Sequence, residues 1–204
     1  MFVQVIQGRV SDRQQAEAAV RRYAAELGPG SGWLGSTTGV TDDGTLISLA
    51  RFESAEAAGT SSSRAEHRQW WTETKQLFVE GPTVRSCSQV FSDVDPLPEA
   101  AGFVQVMQGE TRDPARSLVL MRQTLPRMTL VRSDVTGRLA VLHDGGSTFT
   151  MAVYFESEAA ARQGERITAP PPADLVAELG EMQSLLVGGF TYFDLKDPWL
   201  TSPA

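Results

Sequence analysis

One cysteine, Cys87, and two histidines, His67 and His143, are the only thiol and imidazole groups in the sequence. A lone thiol closes no internal disulfide, so a reducing, cytoplasmic setting is expected. With one histidine in each half, no cluster at metal-ligand spacing is evident. Positive charge is also scarce. Eighteen Lys and Arg stand against 25 Asp and Glu, a net charge of −7, which leaves no basic field for nucleic acid or an anionic membrane surface. No apolar run of about 18 residues offers a membrane span. The N-terminus passes straight into a strand-like pattern, so no signal peptide is expected. No Gly-x-Gly-x-x-Gly follows a strand, which argues against a dinucleotide site, and no Ser elbow or Cys-His arrangement is evident. The remaining composition, 41% hydrophobic and 21% charged, is that of an ordinary globular chain.

What the sequence does have is a repeat. Residues 2–8 read Phe-Val-Gln-Val-Ile-Gln-Gly and residues 103–109 read Phe-Val-Gln-Val-Met-Gln-Gly. A match of this kind at half the chain length marks two copies of one structural unit. The copies keep their punctuation. Gly137 answers Gly35, Asp144-Gly145 answers Asp42-Asp43-Gly44, and Tyr154-Phe155-Glu156-Ser157 answers Arg51-Phe52-Glu53-Ser54. The expected division is repeat 1 over 1–92, a linker over 93–102, repeat 2 over 103–196 and a tail over 197–204.

Within repeat 1, residues 2–7 read as a strand ended by Gly8. Asp12 caps a helix whose apolar face holds Ala16, Val20, Tyr23, Ala24 and Leu27. Gly28-Pro29-Gly30 stops it. Residues 33–41 and 45–53 form a hairpin about the Asp-Gly turn. A helical element at 54–58 breaks over Gly59–Ser63, a longer helix runs from 64 to 78, and 83–91 is a fourth strand. Repeat 2 follows the same course, with Pro114 in the first turn of its first helix. Ala169-Pro170-Pro171-Pro172 fits an insertion before a helix over 173–186. The tail carries Trp199 and Leu200, which suit packing onto the body. The order β-α-β-β-α-β is the ferredoxin-like unit. A sheet with both helices on one side leaves its other face to be covered, and two copies can cover each other within one chain. The expected fold is thus α+β: two tandem ferredoxin-like repeats packed sheet to sheet as an intrachain α/β barrel. Association of two chains through a sheet edge is left open.

The Phe-Val-Gln-Val strand, the Asp-Gly hairpin, the Phe-Glu-Ser junction and the Gly-Pro-Thr-Val last strand resemble the dimeric α/β-barrel superfamily. Within it they resemble the antibiotic biosynthesis monooxygenase-like domains, over nearly the whole chain. The resemblance implies a small-molecule-binding barrel. Known members include cofactor-free oxygenases of polyketide-like aromatics and haem-degrading enzymes. The Asn usual in the first strand of the oxygenases is Gln here.

The candidate site comes from comparing the copies. An offset aligning Val79 with Val187 sets His67, Trp71, Thr74 and Phe78 against Leu175, Leu179, Met182 and Leu186. The second set is an apolar stripe facing a core, so the first should face inward too. His67 is then the natural general base, Trp71 a stacking surface for a flat aromatic ligand, and Thr74 an orienting hydroxyl. The alternative is that His67 packs on a tryptophan, its nitrogens bonded to backbone or water. Gln4 and Gln7, like Gln105 and Gln108, fall on opposite sheet faces. The inward one is a carbonyl-binding amide or a structural partner. Arg51, equivalent to Tyr154, suits a carboxylate or phenolate, or solvent. Trp33, near Val135 of the other copy, and Tyr23 suit a lid closing the pocket; Trp70 lies about 100° round the helix from Trp71.

These residues and the resemblance favour a cofactor-free monooxygenase acting on phenolic or polyketide-like aromatics. No cofactor, metal, nucleic acid or membrane is expected. A non-catalytic ligand-binding or stress-related barrel is the second reading. A haem-linked enzyme is the third, since neither His67 nor His143 has a motif around it.

Overall fold

A computed structural model describes residues 1–93, 98, 100–166 and 171–203. The chain runs β1 (Phe2–Arg9), α1 (Arg13–Arg22), β2 (Trp33–Val40), β3 (Thr45–Phe52), α2 (Ala55–Ser63), α3 (Ala65–Lys75), β4 (Thr83–Cys87), β5 (Gln89–Ser92), β6 (Phe103–Thr111), α4 (Pro114–Thr124), β7 (Val135–Leu142), β8 (Thr148–Phe155), α5 (Glu158–Gly164), α6 (Ala173–Leu185), β9 (Leu186–Lys196) and β10 (Trp199–Thr201). It divides into two compact units: unit 1, Met1–Ser88 with Leu195–Ala204, and unit 2, Gln89–Asp194.

Each unit carries a five-stranded sheet, in the order β10-β2-β3-β1-β4 in unit 1 and β5-β7-β8-β6-β9 in unit 2. Leaving out β10 and β5, the four remaining strands of each follow the ferredoxin-like order, and the fold is α+β. The fifth strands cut across the expected boundaries. Residues 83–91 do not form one strand. The ladder breaks at Ser88, and β5 pairs with β7 rather than continuing beside β1. The C-terminal segment ends as β10, pairing Trp199 with Thr38 and burying its indole beside Val40 and Leu46.

Local chemistry explains the element ends. Asp12 caps α1 by accepting from the Gln14 and Gln15 amides at 2.8 and 3.0 Å. Ser54 and Ser157 cap α2 and α5 in the same way, from Ala57 N at 3.0 Å and Ala160 N at 3.2 Å. Asp113 caps α4, with Pro114 in its first turn. After α1 the chain widens into a π-helical turn over Tyr23–Leu27. The break expected at Gly59–Ser63 falls instead at Arg64, whose backbone is extended (φ −67, ψ 144). Ser62 and Ser63 donate back to the carbonyls of Gly59 and Thr60, completing the last turn of α2 despite the glycine. At the bulge between Trp33 and Gly35, Gly35 has φ +125, and a Cβ there would run into the Arg51 guanidinium and the Thr201 carbonyl. Residues 94–97 and 99 of the expected linker, and Ala169 and Pro170 of the expected insertion, lie outside the described residues.

Alternation along the strands sets two faces. In unit 1, Phe2, Trp33 and Phe52 pack with Tyr23, Leu27, Ala58 and Trp70 of the helical layer. On the other face Val3, Val5, Ile47 and Leu49 are buried. Gln4 pairs with Ala50 and so shares the helix-facing side, whereas Gln7 and Arg51 lie on the opposite side.

Candidate functional site

A cavity of about 50 Å³ lies within unit 1, between the helix-facing side of the sheet and the helical layer. Its floor is Gln4, Ile6, Ser36, Ser48, Ala50 and Phe52; its roof is Val20, Tyr23, His67 and Trp70; Trp33 closes one end. Small side chains make the space. In the paired register Ser36 lies opposite Ala50, which lies opposite Gln4, with Ser48 the next residue on that face of β3.

Unit 2 provides an internal control. Its sheet has the same register: Gln105 pairs with Val153, Arg138 with Val153, and Ala140 with Met151. Thus Ser36, Ser48 and Ala50 correspond to Arg138, Met151 and Val153, each larger. Trp33, opposite Phe52, corresponds to Val135, opposite Phe155. Arg138 is only 4% exposed and is held by Asp93 at 2.6 Å and by the Leu125 carbonyl at 3.2 Å. The Gln105 amide donates to Asp194 at 3.0 Å. Gln4 makes no side-chain hydrogen bond to any described residue, and it lines the cavity. The duplicated glutamine is therefore tied down in one copy and available in the other.

The aromatic roof is compact. The Tyr23 ring lies 5.6 Å from Trp33, 5.7 Å from His67 and 4.7 Å from Trp70, and the His67 and Trp70 rings are 5.5 Å apart. Edge-on packing of this kind adds modestly to area burial. Trp70 is fixed by its indole N–H, which donates to the Ala19 carbonyl at 2.9 Å. The Tyr23 hydroxyl lies 3.2 Å from Ser61 Oγ. Burial raises the Tyr23 pKa above its usual value, so the phenol stays protonated. His67 is half-buried, and its ring nitrogens make no hydrogen bond to any described residue. Burial, and then the Arg64 guanidinium, lower its pKa below the ordinary histidine value. At neutral pH it is an uncharged imidazole able to accept a proton.

Of the residues singled out from sequence, the structure brings Gln4, Tyr23, Trp33 and His67 together around this cavity. Trp71, Thr74 and Arg51 are not in its lining. Trp70 takes the inward place expected of Trp71, which packs half-buried on the flank of the cluster. The buried stripe of α3 is thus 67-70-74 rather than 67-71-74. Positions 67 and 74 keep the expected register, and only the middle place moves by one residue. Thr74 is buried, with a hydroxyl that has no partner, against a groove shared with Ser11, Gln15 and Arg22. Arg51 points away from the helices, as alternation from Ala50 requires. Sequence reasoning passed over Ser36, Ser48 and Ala50, because small residues carry no chemical signal of their own. Among the described residues, no group of three or more His, Cys, Asp or Glu converges as a metal site would need. No described helix is long and apolar enough to cross a membrane.

Comparison with solved structures fits this architecture. The chain is similar to a provisionally named monooxygenase from Lactobacillus acidophilus NCFM, at 10% identity, with 98% of this chain and 95% of that one covered and a TM-score of 0.75. It is similar to an anthrone oxidase-like protein at 8% identity, with 98% and 92% covered and a TM-score of 0.69. It is also similar to a ferredoxin-fold protein from Listeria monocytogenes 4b F2365 related to antibiotic biosynthesis monooxygenases, at 11% identity, with 100% and 95% covered and a TM-score of 0.50. No family model and no curated protein sequence matches. The chain therefore shares the ferredoxin-like α+β fold of these solved structures, as the sequence resemblance implied. At these identities the likeness is one of fold, and a fold does not assign an activity.

Proposed function

We propose that unit 1 binds a small, flat phenolic or polyketide-like aromatic molecule and oxidises it with molecular oxygen, without a cofactor. The observation carrying this reading is the asymmetry between the copies. In unit 1 small residues open a cavity under a neutral imidazole and an aromatic roof, whereas the equivalent residues Gln105, Met107, Val153 and Phe155 of unit 2 line a groove walled by Arg132, Arg162, Glu165 and Asp194. His67 takes the role of base, Tyr23 and Trp70 cover the ring from the roof, and Gln4 presents its amide from the floor.

Acidity narrows the substrate class. An ordinary phenol has a pKa near 10, against about 6.5 for an ordinary histidine, a gap worth about 5 kcal/mol. Burial lowers the His67 pKa further, so an ordinary phenol is a poor proton donor to it. Substrates whose phenol or ring CH₂ is acidified by a conjugated carbonyl suit the site better, anthrones among them. In the overall reaction the activated CH₂ loses two hydrogens and gains one atom of O₂ to become a carbonyl. The other oxygen atom leaves as water with those hydrogens. The protein supplies desolvation and positioning. A cavity of about 50 Å³ holds little more than a few waters. Typical ligand pockets are about 300 Å³ or more, so admission of a ring requires the Tyr23, His67 and Trp70 side chains to part.

The test is oxygen uptake with anthrone by wild type and His67→Ala. A rate loss of about 100-fold or more, with unchanged thermal stability, supports a base at this position. Equal rates in both proteins, or no uptake at all, sink the oxygenase. The small cavity favours one other reading, a non-catalytic binding protein. Thermal shifts with anthrone but no oxygen uptake would identify it.

A further inference from the structure

Trp33 is 3% exposed, yet its indole Nε1 is buried with no hydrogen-bond partner. The other buried tryptophan of the roof, Trp70, is satisfied by the Ala19 carbonyl. A buried donor left unpaired is costly, and folded proteins seldom keep one without a use. Trp33 lines the cavity. The benzene edge of its indole lies over Gly28, where a Cβ would come within 2.8 Å of Cζ3, and so is fully occupied. Nε1 sits on the other edge of the ring system. Gln4 lines the same cavity with an amide that no described residue engages. In unit 2 both features are gone: Val135 replaces the tryptophan, and Gln105 is bonded to Asp194.

We infer that the Trp33 indole N–H and the Gln4 side-chain N–H form a two-donor recognition site for a single oxygen of the bound aromatic, its phenolate or enolate oxygen. This rests on reading the cavity as a substrate pocket and names what that pocket selects. Two N–H donors on a largely buried wall stabilise the oxyanion over the neutral phenol. They lower the pKa of the bound ligand and so make up for the weak basicity of a desolvated His67. A flat hydrocarbon of the same shape leaves both donors unpaired and binds less well.

The probes are 4-chlorophenol and chlorobenzene, one ring each, differing by one oxygen. In wild type labelled with [15N]tryptophan, 4-chlorophenol should move a single indole N–H resonance downfield, and chlorobenzene should leave it in place. Trp33→Phe assigns that resonance by its loss. Trp33→Phe should also bind 4-chlorophenol about tenfold more weakly, with chlorobenzene affinity unchanged. The ultraviolet phenolate band of bound 4-chlorophenol should titrate about one pH unit higher in the variant. Gln4→Leu repeats the binding and titration measurements without altering the indole. The inference fails if no indole resonance responds to the phenol in wild type, if both probes weaken together, or if the bound phenol titrates alike in all three proteins. None of these readouts requires turnover. A protein that passes them and takes up no oxygen refutes the oxygenase and leaves the two-donor site standing.

Discussion

Replacing Ala50 by valine, the residue type that unit 2 carries at the paired position, tests whether the cavity exists and where. Ala50 lies on the floor beside Gln4 and is half-buried. Two added methyl groups, at about 0.8 kcal/mol each on burial, bring up to about 1.6 kcal/mol. Removing a void of about 50 Å³, at about 24 cal/mol per Å³, brings about 1.2 kcal/mol more. Crowding against the roof offsets about 1–3 kcal/mol of this. The expected net is a stabilisation of about 1 kcal/mol, or about 2–4 °C in Tm. All four tryptophans, Trp33, Trp70, Trp71 and Trp199, belong to unit 1. Tryptophan fluorescence in a denaturant titration therefore reports the mutated unit alone. Ala50→Val should shift its midpoint upward without changing its slope, and 4-chlorophenol should no longer bind. A destabilisation of more than about 1 kcal/mol would mean the position was already close-packed. Unchanged ligand binding would place the binding site elsewhere. Either result refutes the cavity argument.

Three other outcomes follow from the same contacts. Gly28→Ala puts a methyl into the Trp33 ring, and the indole must move; a loss of about 1–3 kcal/mol and a shifted fluorescence maximum are expected. In unit 2, Asp93→Ala strands the Arg138 guanidinium, which is 4% exposed; far-ultraviolet dichroism during denaturation should show a loss of about 3–5 kcal/mol. Because the folded pKa of His67 lies below the ordinary 6.5, the unfolded chain takes up the proton first. Stability should be level above about pH 6.5 and fall as pH drops through it, a slope that His67→Gln should abolish. Asp134, held below its usual 3.8 by Arg132, contributes stability that is lost only at more acid pH, and tryptophan-fluorescence midpoints at pH 7.5 and 5.5 report unit 1, which carries His67 and not His143.

The sheets were readable because strands declare themselves at period two and the copies repeat the same words. Phe2, Gln4 and Ile6 face the helices for the same reason that Val3 and Val5 do not. That rule also placed Gln4 and Gln7 on opposite faces, and applied to β3 from Ala50 it would have put Arg51 away from the helices. The choice between Trp70 and Trp71 was harder. Spacings of three and four both lie near one helical turn, so 67 and 74 leave either 70 or 71 as the inward residue between them. The partners of β5 and β10 were not legible at all. Thr201 meets Ser36 across most of the chain, and three residues carry no pattern that names so distant a strand. The floor of the cavity was missed for another reason. A void is defined by what is not there, and only setting Ser36, Ser48 and Ala50 beside Arg138, Met151 and Val153 brings it out.

Covalent linkage of the two copies has a consequence for stoichiometry. In a dimer of identical subunits every mutation is made twice, so a residue that opens a hollow in one subunit opens it in the other, and hollows come in pairs. Here Ala50 and Val153 are encoded separately. Unit 2 carries methionine, valine and an ion-paired arginine at the floor positions and lines a charged groove, while unit 1 has small residues under an aromatic roof. A calorimetric titration of the intact polypeptide should accordingly saturate at one molecule of aromatic ligand, not two.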